Sequence, residues 1–241
     1  METLKKILIA VLCAIAAISA AEARKATRPE VIRPDLEKIK SETTDETSKY
    51  YYPKLLEMFM ANDTVMTDDD FRYFYYGTLF QEDYDPYRKT YDEEEYKRIE
   101  PLYYKSDHTR AEKDMMQKYA QAAIENNPID LLQLKNLIYV YEKKGKVNLA
   151  KIWKNKLNHL LLTIASSGNG LDADNAWMVV FPRHEYDFLN LVGITALSQE
   201  FVPPYYEKLG VSRKTDKDPE AYFFDIKAIL EQYYLKHPSE L

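Results

Sequence analysis

The 241-residue chain holds one cysteine, six glycines and four histidines, and each scarcity removes a class of chemistry. The lone Cys13 sits inside an N-terminal leader, so the processed chain carries no thiol. Disulfides, thiol catalysis and thiolate metal sites are thereby excluded. The few glycines form neither GxGxxG nor GxxxxGK[ST], so no glycine-rich phosphate cradle is encoded. His108, His159, His184 and His237 show no metal spacing; His184-Glu185 opens an HExxH-like string, but Phe188 stands where the second histidine belongs. No GxSxG occurs, and no serine has a His and Asp in an arguable triad order. The net charge of −6 lacks the basic excess that nucleic acid calls for. No cofactor is implied.

What is present begins with the leader, METLKKILIAVLCAIAAISAAEA. Lys5 and Lys6 supply the positive start, residues 7–18 the apolar run, and Ala21-Glu22-Ala23 the small-x-small cleavage site. The run is shorter than the roughly 20 residues that span a bilayer, so the chain is expected to be exported and not membrane-spanning. Cys13 lies within the apolar run, and Ala10 stands where a lipobox would place leucine, which argues for a soluble periplasmic or secreted product without a lipid.

Beyond the signal peptide (1–23), residues 24–47 read as a flexible N-terminus that becomes helical near Asp35, and residues 48–166 as a helical module. Thr67 followed by Asp68, Asp69 and Asp70 is a strong helix start, a hydroxyl cap and then acids at the positive end of the helix dipole. Tetratricopeptide repeats are helix pairs of 34 residues with preferred residues at fixed offsets. Ala123 and Pro128 fit the end of one such unit, and Leu137, Tyr141, Gly145 and Ala150 fit the next. Small residues let helices approach, large ones fill the gap and glycine serves the turn. Leu134, Ile138 and Lys154 depart from the common residues, so a generic stack of helical hairpins remains the alternative. Upstream, Tyr73, Tyr76, Gly77 and Phe80 match a preceding first helix. The distance from Gly77 to its counterpart Ile138 exceeds one repeat by the length of an insertion, residues 81–107.

After residue 166 the pattern changes. AWMVVF reads as a short β run closed by Pro182, and EYDFLNLVG as a helical turn ending at Gly193. YYEKLGVSR and AYFFDI read as a hairpin around KTDKDPE, and IKAILEQYYLKH as a last amphipathic segment. The expected fold is therefore α+β: mainly α, with tetratricopeptide-like hairpins, then a small antiparallel β-rich part (167–241) packed on the helices.

KYYYPKLLEMFMANDTVMTDDDFRYFYYGTLFQEDYDPY, SGNGLDADNAWMVV and HEYDFLNLVGI resemble an exported bacterial family known as domain of unknown function 4919. The resemblance spans most of the processed chain. It implies a shared fold and brings no reaction, ligand or catalytic residue with it.

Two stretches invite a chemical reading. GNGLDADNAW (168–177) has acids at EF-hand-like spacing, yet Ala176 replaces the third donor and Trp177 the obligatory glycine, so it reads as a turn and no metal site is assigned. Runs of adjacent acids, as at Asp68–Asp70, read as helix starts or solvated faces. The compositional excess is tyrosine: twelve of 21 lie between Tyr50 and Tyr104. Tyr84, Tyr87, Tyr91 and Tyr96 fall in the acidic insertion, where aliphatic residues are few, and these four are the candidate partner-binding residues. Tyrosine joins apolar area to a polar tip, which suits protein interfaces and sugar rings. With no catalytic constellation, the expected function is a non-catalytic binding or scaffold module of the bacterial cell envelope with a protein or glycan partner. The alternatives are a carboxylate-dependent envelope hydrolase acting on glycans and a structural accessory subunit of an envelope complex.

Overall fold

The computed structural model describes residues 31–61, 66–88 and 91–240. Residues 1–23, expected to be a leader, and with them Cys13, lie outside the described residues. The architecture is α+β, mainly helical with a small β region near the C-terminus. The chain forms two compact units, Leu36–Leu161 and a second in which Leu162–Leu241 groups with the residues before Leu36.

The first unit is helical: α1 (Leu36–Thr44), α2 (Tyr52–Met60), α3 (Asp68–Gly77), α4 (Glu93–Ile99), α5 (Arg110–Asn126), α6 (Leu131–Lys143) and most of α7 (Val147–Ser166). Local chemistry sets the starts. Thr67 and Asp70 form a reciprocal capping box for α3, Thr109 and Glu112 do the same for α5, and Asp130 accepts from the Gln133 N–H at the start of α6. α1 begins beside Asp35, near which the sequence reading has the chain turn helical. It buries Ile39 and Thr43, and Gly77 lets α3 come so near that a Cβ there would stand 2.7 Å from the Thr43 methyl.

The core of this unit is aromatic. Leu55, Phe59, Phe74, Tyr75 and Tyr76 are buried, and Phe59 stacks on Phe74 at 4.8 Å and meets Trp153 edge-on at 6.3 Å. Buried Lys156 donates to the carbonyls of Phe59 and Ala61 at the end of α2, with its ammonium 4.1 Å over the Trp153 ring. Leu137, Tyr141 and Ala150 are buried as their spacing predicts. Between α6 and α7 the chain turns at Gly145 (φ 71°), where the Lys146 N–H reaches back to the Tyr141 carbonyl at 2.8 Å.

The second unit carries a four-stranded sheet in the order β1-β4-β3-β2. The strands are β1 (Trp177–Met178), β2 (Ala196–Val202), β3 (Tyr206–Val211) and β4 (Ala221–Asp225), with α8 (Arg183–Leu191) between β1 and β2 and α9 (Lys227–Lys236) after β4. The expected hairpin is β3–β4. Two features differ from the sequence reading. β2, a strand the sequence reading does not include, pairs antiparallel with β3. And β1 is only two residues long and runs parallel to β4, Trp177 beside Phe224. One sheet face is buried: Leu209, Tyr222 and Phe224 pack under Trp177 and Phe188, with Trp177 at 5.0 Å from Tyr222 and 4.9 Å from Phe188.

Candidate functional site

The described residues of the insertion, 81–88 and 91–107, are more ordered than its composition suggests. Asp92 (φ 42°) caps the N-terminus of α4, and a 3-10 turn, Glu100–Tyr104, continues from it. Arg88 ties the insertion down: it bonds Asp83 through the carbonyl at 2.6 Å and the carboxylate at 2.8 Å, and donates to the Asn126 carbonyl at 2.9 Å. That carbonyl closes α5, where the negative end of the helix dipole favours a guanidinium. His108 bridges the far end, with Nε2 donating to the Leu102 carbonyl at 2.8 Å, which leaves Nδ1 to accept from the Tyr139 hydroxyl at 2.9 Å.

The four tyrosines separate on this frame. Tyr84 is buried at 2% exposure, and burial pushes its hydroxyl well above the usual phenol range. Its ring is core, out of reach of a partner. Tyr96 is half-buried: it packs on a cluster that includes Ile99, Met116, Tyr119 and Val140, its ring 6.0 Å from Tyr119 and 6.3 Å from Tyr103. Tyr91 is 38% exposed, with its carbonyl accepting from the buried Tyr119 hydroxyl and its ring 6.0 Å from that of Tyr119. Tyr87 is 54% exposed, and its N–H donates to the Asp85 carboxylate at 2.9 Å, a local turn that fixes the backbone while the ring projects. Tyr104, outside the four, is 84% exposed. Its place at the end of the 3-10 turn has no counterpart in the sequence signal. Around Tyr87 and Tyr91 the carboxylates of Asp83, Asp85, Glu93 and Glu94 are exposed.

GNGLDADNAW is a closed turn. The Asn169 and Gly170 N–H groups both donate to the Asn175 carbonyl, the Asp172 carboxylate accepts from the Asn175 backbone and side chain, and the Trp177 indole donates to the Gly168 carbonyl. Gly170 adopts φ 68°, and a Cβ on Gly168 would stand 2.2 Å from the Asn175 carbonyl oxygen. Two further carbonyls tie the loop to its surroundings: Gly170 accepts from the Phe223 N–H at 2.8 Å and Asp174 from the Arg33 guanidinium at 2.7 Å. Among the described residues no group of three or more His, Asp or Glu side chains is placed to share a metal ion.

The strongest electrostatic anomaly lies elsewhere, in α8. Glu185 is wholly buried, and no donor reaches either carboxyl oxygen. Burial, reinforced by the charge of Glu207 on β3 and by a hydrogen bond to its carboxylate, pushes the Glu185 carboxyl up to about 9. The Glu207 carboxylate accepts from the Gln199 amide, whose oxygen in turn accepts from the Tyr186 hydroxyl. A general acid must touch its substrate, and Glu185 has no exposed surface with which to do so. The sequence holds the signal for its burial: His184, Glu185, Phe188 and Leu189 recur at the spacing of one helix face, and all four are buried.

The profile of a family described as a domain of unknown function (DUF4919) matches residues 37–235. The chain belongs to this family. Neither the curated proteins nor the solved structures contain a match. The DUF4919 match takes in α1 through nearly all of α9, and so covers the tyrosine-rich insertion, the closed turn and Glu185 alike. No helix among the described residues is long and apolar enough to cross a membrane.

Proposed function

We propose that the protein is a non-catalytic binding or scaffold module of the bacterial cell envelope, which engages a protein or glycan through the insertion 81–107. The observation that carries this is the exposure of Tyr87 and Tyr91 on a segment anchored from beneath by Tyr84, Tyr96 and Arg88. Rings held on a fixed backbone lose little entropy on binding, and loops on a rigid base are where function collects. The exposed acids beside them favour a basic or hydroxyl-rich partner. The helices beneath fit a tetratricopeptide-like reading, in which an insertion within a unit projects from the stack. The leader motif supports an exported, periplasmic or secreted location.

The test is a pull-down from the native envelope with wild type and a Tyr87→Ala/Tyr91→Ala variant whose circular dichroism is unchanged. Truncating a central interface aromatic costs about 2 kcal/mol or more, so the partner is expected to be lost or weakened by more than tenfold. Unchanged capture would make the insertion a packing element and end this reading.

A further inference from the structure

The sheet has one covered face and one open face. Leu209, Val211, Tyr222 and Phe224 alternate onto the first and are buried. Tyr206 and Lys208 of β3 and Phe223 and Asp225 of β4 alternate onto the second, and each is partly exposed. β2 adds Ser198 and Glu200 to this open face, both exposed. Ser198 reaches it through an irregularity: Ala196 pairs with Val211 and Ser198 with Gly210, which leaves Leu197 bulged. A bulge re-aims the side chain beside it. Here it turns Ser198 onto the face opposite to that of Ala196, two residues before. Gly210 makes the room, since a Cβ there would stand 2.4 Å from the Ser198 Oγ. Among the described residues the Ser198 hydroxyl has no hydrogen-bond partner.

We infer that this open face is a second binding site, separate from the insertion, and that its ligand is a neutral oligosaccharide. Phe223 and Tyr206 are diagonal neighbours on the two central strands. They offer two rings on which the apolar side of a pyranose can lie. Sugar hydroxyls both donate and accept, and the groups around the rings do both: Ser198 either way, Glu200 as acceptor, Lys208 as donor. Charge decides the class of ligand. Glu200 pairs with Lys208 at 3.3 Å and Asp225 with Arg33 at 4.0 Å, so the charges of the face cancel and select neither a polyanion nor a basic peptide. The rings are bordered by these polar groups and do not join into the contiguous apolar patch that marks a protein partner. The bulge at Leu197 spoils the β2 edge for strand addition.

Isothermal titration calorimetry tests the site with cellohexaose, xylohexaose, mannohexaose and chitohexaose, and with the anionic hexamer of galacturonic acid. At least one neutral hexaose is expected to bind with a dissociation constant of about millimolar or below. Phe223→Ala, and the double variant Ser198→Ala/Glu200→Gln, are each expected to weaken it about tenfold or more. Gly210→Ala, whose methyl displaces the Ser198 hydroxyl, is expected to weaken it as Ser198→Ala does. Tyr87→Ala/Tyr91→Ala is expected to leave it unchanged, which keeps this site distinct from the insertion. Ser198 and Glu200 are exposed, so their variants carry the test even where Phe223→Ala folds poorly. No binding of any neutral hexaose, tighter binding of the galacturonate, or undiminished binding by the folded Ser198→Ala/Glu200→Gln variant would each overturn the inference. So would loss of binding in Tyr87→Ala/Tyr91→Ala, which would move the sugar to the insertion.

Discussion

A carboxyl group sealed from water with no donor to either oxygen is held in its neutral form, and Glu185 meets both conditions. The ordinary value for glutamate is 4.5, and burial raises it to about 9 in the folded protein. The sign of the linkage follows. Folded protein holds a proton here that unfolded protein has released, so this residue's contribution is fully present below about pH 4.5 and is lost as pH rises toward about 9. By neutral pH the decline amounts to roughly 3 kcal/mol, since each pH step costs about 1.4 kcal/mol. Glu185→Gln keeps the shape and removes the titration. Its melting temperature is expected to exceed that of wild type at pH 8 by more than at pH 5. Parallel melting curves across that range would show that Glu185 ionises freely.

At the scale of elements, the α6–α7 turn was legible for a physical reason: large and small residues alternate at helix spacing around a glycine that must turn left-handed. Ala150 is 3% exposed. Ala150→Phe is expected to lower stability by about 1–3 kcal/mol through overpacking, read from denaturant titration; an unaffected midpoint would mean the site can expand. α8 was legible in part, because the spacing that sets Phe188 and Leu189 on one helix face sets Glu185 there too, but says nothing of its protonation. β2 was opaque. An edge strand exposed on both faces shows no alternation, and its turn, Pro203-Pro204-Tyr205, lacks the asparagine and glycine that announce a hairpin. The candidate site was half legible. Composition located the tyrosines, yet nothing in it separates Tyr84, which folds inward after the Gln81 turn, from Tyr87, which Asp85 turns outward.

For the whole molecule, the leader and the absence of any other cysteine make a joint prediction. Protein recovered from outside the cytoplasm is expected to begin within about two residues of Ala23, by N-terminal sequencing. Its thermal midpoint is then expected to be indifferent to reductant, because nothing remains to reduce. Met1 on the exported protein, or a midpoint that drops with dithiothreitol, would contradict it. The order of strands in the sheet bears on how the chain matures. β4 lies between β1 and β3, so Trp177 waits for Phe224 before its strand has a neighbour. Contacts between residues so distant in the chain form late, and a β2–β3 ribbon alone is marginal in water. A chain emerging N-terminus first therefore cannot complete its sheet until Ala221–Asp225 has followed, and a nascent protein arrested short of that point would hold Trp177 and Phe188 unburied, a target for holdases and proteases.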